Sequence, residues 1–183
     1  MDSYLTSVIK QFEYYKSLGD KTFNQLNFDE MVWQSNEDAN SIAIIVKHMV
    51  GNMLSRWTNF LTEDGEKDWR HRDREFINNF SSKEAIIAAW ESGWLCLFKA
   101  IKPLKAEDLE TIIYIRNGGH TVTEAINRQL AHYSYHIGQL VFLGKLLKGR
   151  DWASLSIPKG DSLSYNKNKF SNNKERRHFT DDL

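Results

Sequence analysis

The sequence predicts an all-α protein, a four-helix bundle of amphipathic helices with a short β-hairpin before the last helix. Apolar residues recur at spacings of three and four through four separate stretches, the period of a helix with one buried face. Two prolines, Pro103 and Pro158, are the only ones in 183 residues, so the strongest helix breaker is nearly absent. A 41% hydrophobic share with 13% aromatics supplies the material for one core in a chain of single-domain length.

The first helix covers residues 4–26 and lines up Leu5, Val8, Ile9, Phe12, Tyr15 and Phe23. The polar stretch QSNEDANS follows, where Asn40 or Ser41 can accept the free backbone N–H groups of the next helix as its N-cap. That second helix runs to about residue 61. Residues 62–81 contain EDGEKDWRHRDREFINNF, dense in charge and without a sustained apolar period, and read as a long connection. Such loops are uncommon in compact domains, and Trp69 and Phe76 are its candidates for pinning it onto the bundle.

Ser81 or Ser82 caps the third helix, whose Ile86, Trp90, Trp94, Leu97, Phe98 and Ile101 form a heavy apolar face that ends before Pro103. Ile112, Ile113, Tyr114 and Ile115 suit a strand, and Asn117-Gly118 suits a tight primed turn. Thr121 and Glu124 then have the spacing of a capping box, which starts the longest helix, residues 122–148. Residues 1–160 are read as the one bundle domain. Residues 161–183 are too polar to bury much and are expected to be mobile or to drape over the surface.

Charge and cysteine content narrow the setting. Twenty-four basic residues balance twenty-four acidic ones, so no overall positive field attracts nucleic acid or an anionic membrane. The single cysteine, Cys96, cannot pair within the chain, and MDSYLTSVIKQF lacks the pattern of a secretory signal. No stretch has the roughly 20 apolar residues of a membrane span. A soluble, cytoplasmic protein is expected.

The chemistry centres on histidine. His132 and His136 are four residues apart in the last helix, so their rings lie one turn apart on one face and can converge on an ion. Taken alone that spacing is a weak signal. Gln129 and Gln139 sit one turn from the pair and are candidates for fixing ring orientation. His48 lies among Ile44, Ile45, Val46 and Met49, where an imidazole needs a partner: a metal, or a carbonyl, Tyr or Asn in a core hydrogen bond. The intervening sequence HYSYH lacks the glutamate of helical zinc peptidases, and no Glu-x-x-His repeat of di-iron bundles is present. A single-ion site fits better.

With these residues in view, NSIAIIVKHMVGNMLSRW and NRQLAHYSYHIGQLVFLGKLLKG resemble the DinB/YfiT-like superfamily of bacterial metal-binding bundles over roughly residues 1–160. The most specific part is AHYSYHIGQ matched with a histidine several residues into the second helix; GEKDWRHRDREF and LSIPKG are similar to an uncharacterised branch. The resemblance implies up-down-down-up order and an ion held by His48, His132 and His136. The ion in such proteins is usually zinc or nickel, and imidazoles are compatible with iron or manganese as well. Relatives that the resemblance brings in include thiol S-transferases using bacillithiol-type thiols and mycothiol-dependent isomerases, and a homodimer is expected.

The functional expectation is therefore a metal-dependent transferase or hydrolase that activates a small thiol or water against an electrophilic small-molecule substrate. Its competitor is a non-catalytic metal-binding stress-response or structural homodimer, which requires a fourth protein ligand such as His71, His120 or a carboxylate. A third alternative has no metal, with the histidines completing a polar core network. Arg70, Arg72 and Arg74 either bind an anionic cosubstrate or, interleaved with Asp68, Asp73 and Glu75, form a solvated charge cluster, the reading favoured by the pattern. Cys96 in WLCLF reads as a buried structural thiol.

Overall fold

The structure, a computed structural model, describes residues 3–181; residues 1–2 and 182–183, the outer ends of the expected domain and tail, lie outside the described residues. It is mostly helical, with six α-helices and one two-stranded antiparallel hairpin. The helices are α1 (Ser3–Phe23), α2 (Phe28–Val32), α3 (Ile42–Trp57), α4 (Lys83–Ile101), α5 (Val122–Lys148) and α6 (Ser162–Phe170); the strands are β1 (Ile112–Ile115) and β2 (Gly118–Thr121). No helix among the described residues is long and apolar enough to cross a membrane.

Three of the four long helices start where the sequence supplies caps. Ser41 Oγ accepts from Ile44 N at the head of α3, Ser82 Oγ from Ala85 N at the head of α4, and Thr121 with Glu124 forms a full capping box on α5. The α3 helix ends at Trp57, a turn before the expected residue 61, because Asn59 adopts a positive φ of 49°. The unexpected five-residue α2 is nucleated by its own capping box, Asn27 with Glu30.

Packing follows the apolar stripes. The pairs α3 with α4 and α1 with α5 share the largest contacts, and α3 against α5 and α1 against α4 complete a shared core. Its centre is aromatic: Phe12, Trp90, Trp94 and Tyr133 are fully buried, with Trp94 edge-on to Phe12, Trp90 and Tyr133. Gly19 lets α1 close on α4, since a Cβ there would lie 2.4 Å from Trp90 Cζ2.

The hairpin turn differs from expectation by one residue. Ile115 pairs with Gly118, so the two loop residues are Arg116 and Asn117, with φ of 55° and 60° as a type I′ turn needs. Asparagine tolerates that conformation; arginine does not favour it. Asp64 offsets the strain by accepting the backbone N–H groups of both turn residues at 2.8 Å.

The long connection is pinned, and of the two aromatics expected to do so Phe76 contributes by stacking on the His48 ring of α3. Trp69 is exposed and Phe76 is only partly covered. The other anchors are Gly65, whose N–H donates to Tyr114 O and whose carbonyl accepts from Ser55 Oγ and Arg56, together with buried Lys67 and Glu75. A 3-10 turn, Arg72–Phe76, lays the end of this crossover on α3. Past the bundle, α6 buries no side chain, and His178 and Phe179 return to Ser7 and Tyr14 of α1.

Candidate metal centre

Two polar stripes face each other across the interface of α3 and α5. On α3, His48, Asn52 and Arg56 recur every fourth residue on one face and are all buried. On α5, Gln129, His132 and His136 occupy successive turns beside the apolar stripe of Tyr133, Ile137 and Leu140. An aliphatic core would cover both stripes. Here they enclose a cleft.

At one end the three imidazoles converge. His48 Nε2 lies 3.4 Å and His136 Nε2 3.0 Å from His132 Nε2, and the three ligand atoms all lie within 4.8 Å of one another. Tetrahedral ligands about 2.0–2.1 Å from a zinc ion stand about 3.3 Å apart, so the spacing suits one ion.

Proton positions support the same reading. His48 Nδ1 is 2.9 Å from Glu75 Oε2, and a carboxylate only accepts, so Nδ1 carries the hydrogen and Nε2 presents a lone pair. His136 Nδ1 lies 2.8 Å from Gln139 Oε1 and is fixed in the same tautomer. Both rings therefore aim lone pairs at His132 Nε2, where a single N–H can satisfy only one of them. A cation satisfies all three.

Burial pushes the pKa of His132 down to about 4, helped by the nearby His136, His48, Arg70 and Arg128. Burial likewise lowers that of His136, against the raising effect of its bond to Gln139. Both rings are thus neutral at pH 7, as ligation requires.

Glu75 was not singled out as a site residue by sequence reasoning, yet it holds the arrangement in place. Its carboxylate accepts from Arg70 Nε at 2.8 Å and Arg70 Nη2 at 3.0 Å, and the side chains of Arg70 and Glu75 are only 3% and 8% exposed. Burial works to raise its pKa, but the bonds from His48 and Arg70 outweigh it and hold the carboxyl below its ordinary value. A Cβ on Gly51 would lie 2.2 Å from Glu75 Oε1, so glycine there makes room for the carboxylate. Phe76 stacks on the His48 ring, with centroids 5.3 Å apart.

The expected roles divide accordingly. His48, His132 and His136 come together, and Gln139 orients His136. Gln129 does not bond His132; its Oε1 is buried without a partner. His71 is exposed, His120 lies on β2, and neither joins the cluster. Arg70 departs from the solvated charge cluster favoured by its sequence context, because Glu75 draws it into the protein. Cys96 is half-buried instead of buried and lines a separate cavity of about 470 Å³ with Thr58 and Leu95, which contains none of the histidines.

Among the described residues no other group of three or more histidine, cysteine or acidic side chains has the spacing to hold a metal. A family model described as "Protein of unknown function (DUF1572)" matches residues 1–161. The chain belongs to the DUF1572 family. No curated protein and no solved structure matches it. The matched region of this DUF1572 chain takes in every residue of the histidine cluster together with Glu75 and Arg70.

Proposed function

We propose that the chain is a DinB/YfiT-like bundle of up-down-down-up order. In this reading His48, His132 and His136 hold one divalent ion, zinc or nickel foremost, in a metal-dependent transferase or hydrolase. The supporting observation is a cluster of three convergent imidazoles with no fourth protein ligand among the described residues. The nearest carboxylate, Glu75, is bound to His48 Nδ1 and Arg70. A structural zinc site ordinarily closes with four protein ligands, so the open set favours chemistry over mere stabilisation. The long crossover between α3 and α4 is what a bundle needs to run those two helices in the same direction.

Bound there, a divalent ion supplies Lewis acidity, lowering the pKa of a thiol or water towards neutrality while leaving it coordination space. The chain's own part is positional. Glu75 and Gln139 hold two ring tautomers, Phe76 covers one face of His48, and the remaining side opens on a cavity of about 340 Å³ that His48 and His132 help line. A bacillithiol-type thiol and a small electrophile are the substrates in this reading. Dimerisation through exposed apolar side chains such as Leu95 and Phe142 belongs to the same proposal.

Elemental analysis of untagged protein tests the first half: about one equivalent of metal is expected, lost in His132→Ala and His136→Ala. Turnover of a thiol with a generic electrophile by the loaded protein, absent in His132→Ala, tests the second. Metal without turnover across a broad panel would instead identify a binding module.

A further inference from the structure

The cavity beside the histidines has an unusual lining for its size. Five arginines contribute to it, Arg56, Arg70, Arg72, Arg116 and Arg128, drawn from α3, the crossover, the hairpin turn and α5. No acidic side chain lines it. The carboxylates that reach these guanidiniums are Glu75, which takes Arg70, and Glu66, which Arg56 and Arg116 share; Asp64 accepts only the backbone N–H of Arg116. Two carboxylates thus pair with three of the five guanidiniums. Arg72 lies over the Phe76 ring, and neither it nor Arg128 pairs with a carboxylate among the described residues.

Two buried polar atoms on residues of the lining also have no partner. Arg56 is 7% exposed and its Nε has no hydrogen-bond acceptor; Gln129 is 3% exposed and its Oε1 has no donor. Buried polar atoms of this kind are costly when unpaired. Guanidiniums, with planar paired donors, match carboxylate or phosphate oxygens.

We propose that this cavity binds a small molecule carrying two anionic groups, of carboxylate or phosphoryl type, with its anionic end held by the arginines and its remainder directed to the histidine cluster. Only the role of that remainder rests on the metal-dependent reading. Anion binding itself depends on the arginines, and the cavity is of the size that encloses a small ligand.

The test is calorimetric titration of chelator-treated protein with succinate and with inorganic pyrophosphate, using acetate as the monoanion control. One dianion is expected to bind in a 1:1 ratio, about tenfold tighter than acetate, and to weaken as salt is raised. Which of the two binds tells whether the natural group is carboxylate or phosphate. Arg128→Gln and Arg72→Gln, both at exposed positions, are expected to weaken it about fivefold or more each while leaving the melting temperature unchanged. His136→Ala, outside the cavity lining, is expected to abolish metal retention and spare dianion binding, so failure of one reading is separable from failure of the other. Equal binding of dianions and acetate, or wild-type affinity in both arginine variants, overturns the proposal.

Discussion

Replacing Glu75 separates its two jobs. In Glu75→Ala, Arg70 keeps a side chain only 3% exposed but loses both carboxylate bonds, of 2.8 and 3.0 Å. Stranding one member of a buried ion pair costs about 3–5 kcal/mol. Glu75→Gln keeps the shape but leaves an NH2 where an acceptor stood, at a cost of about 1–3 kcal/mol. In Glu75→Ala His48 loses the partner that fixes its tautomer, and zinc affinity is expected to fall about 10–100-fold, or about 1.4–2.8 kcal/mol, whereas the amide oxygen of Glu75→Gln still accepts from His48 Nδ1 and spares most of that affinity. Guanidinium unfolding of chelator-treated protein reads the first effect, and zinc competition against a chromogenic chelator reads the second. The double variant Arg70→Met/Glu75→Leu divides them further: with no charge left stranded, stability returns to within about 1–2 kcal/mol of wild type while zinc affinity stays low. Wild-type stability and wild-type zinc affinity in Glu75→Ala would refute the reasoning.

Three other outcomes follow from the same geometry. Gly51→Ala is expected to destabilise the fold by about 1–3 kcal/mol and to weaken zinc binding, because its Cβ would occupy space 2.2 Å from a carboxylate oxygen that Arg70 holds in place; denaturation and zinc titration check both. Tyr133→Phe removes a fully buried hydroxyl that accepts from Trp57 Nε1 at 3.1 Å and donates to Asn52 Oδ1 at 2.9 Å; a loss of about 1–3 kcal/mol in chemical denaturation, with zinc affinity retained, is expected. At Asp64, burial raises the pKa, but the backbone N–H groups of Asn117, Glu66 and Arg116 outweigh it, so the folded value lies below the ordinary 3.8. Its stabilising contribution is therefore complete above that ordinary value and fades as pH falls through the lower folded one. The stability gap between wild type and Asp64→Asn, followed by denaturation across pH, is expected to close in that acid range.

The sequence made the long helices legible because each is recorded locally, in a stripe and, for three of the four, a cap: Ser41, Ser82 and the Thr121–Glu124 box are all where the spacing put them. The same capping signal, Asn27 with Glu30, was available for α2, but five residues offer too little periodicity to attract notice. His132 and His136 were visible as a pair on one helix face, whereas His48 stood out only as an imidazole needing a metal or a hydrogen-bond partner, and the resemblance decided for the metal. Its neighbours Asn52 and Arg56, at four and eight residues on, carried a local sign of a polar stripe inside an apolar helix. Glu75 and Arg70 carried none. Alternating charge reads as solvated whenever it is judged by itself, and what buries these two is His48, 27 residues upstream of Glu75. The turn was misplaced by one residue because Asn-Gly is the better local turn former, while pairing across the hairpin and the carboxylate of Asp64 select Arg116-Asn117.

The distance in sequence between His48 and His132, 84 residues, has a bearing on how the protein is made. During synthesis α3 emerges first, and its lone imidazole has no second ligand until most of α5 has left the ribosome. Under the proposed function, metal capture is then a late event, bounded by the docking of α5 on α1 and α3. Beneath the cluster, Phe12, Trp94 and Tyr133 form a buried aromatic plug that contributes no ligand and closes by ring contacts and by the hydrogen bonds of the Tyr133 hydroxyl to Trp57 and Asn52. The bundle has a core that closes without an ion, so in the proposed reading loading follows assembly and the ions available at that time select the metal.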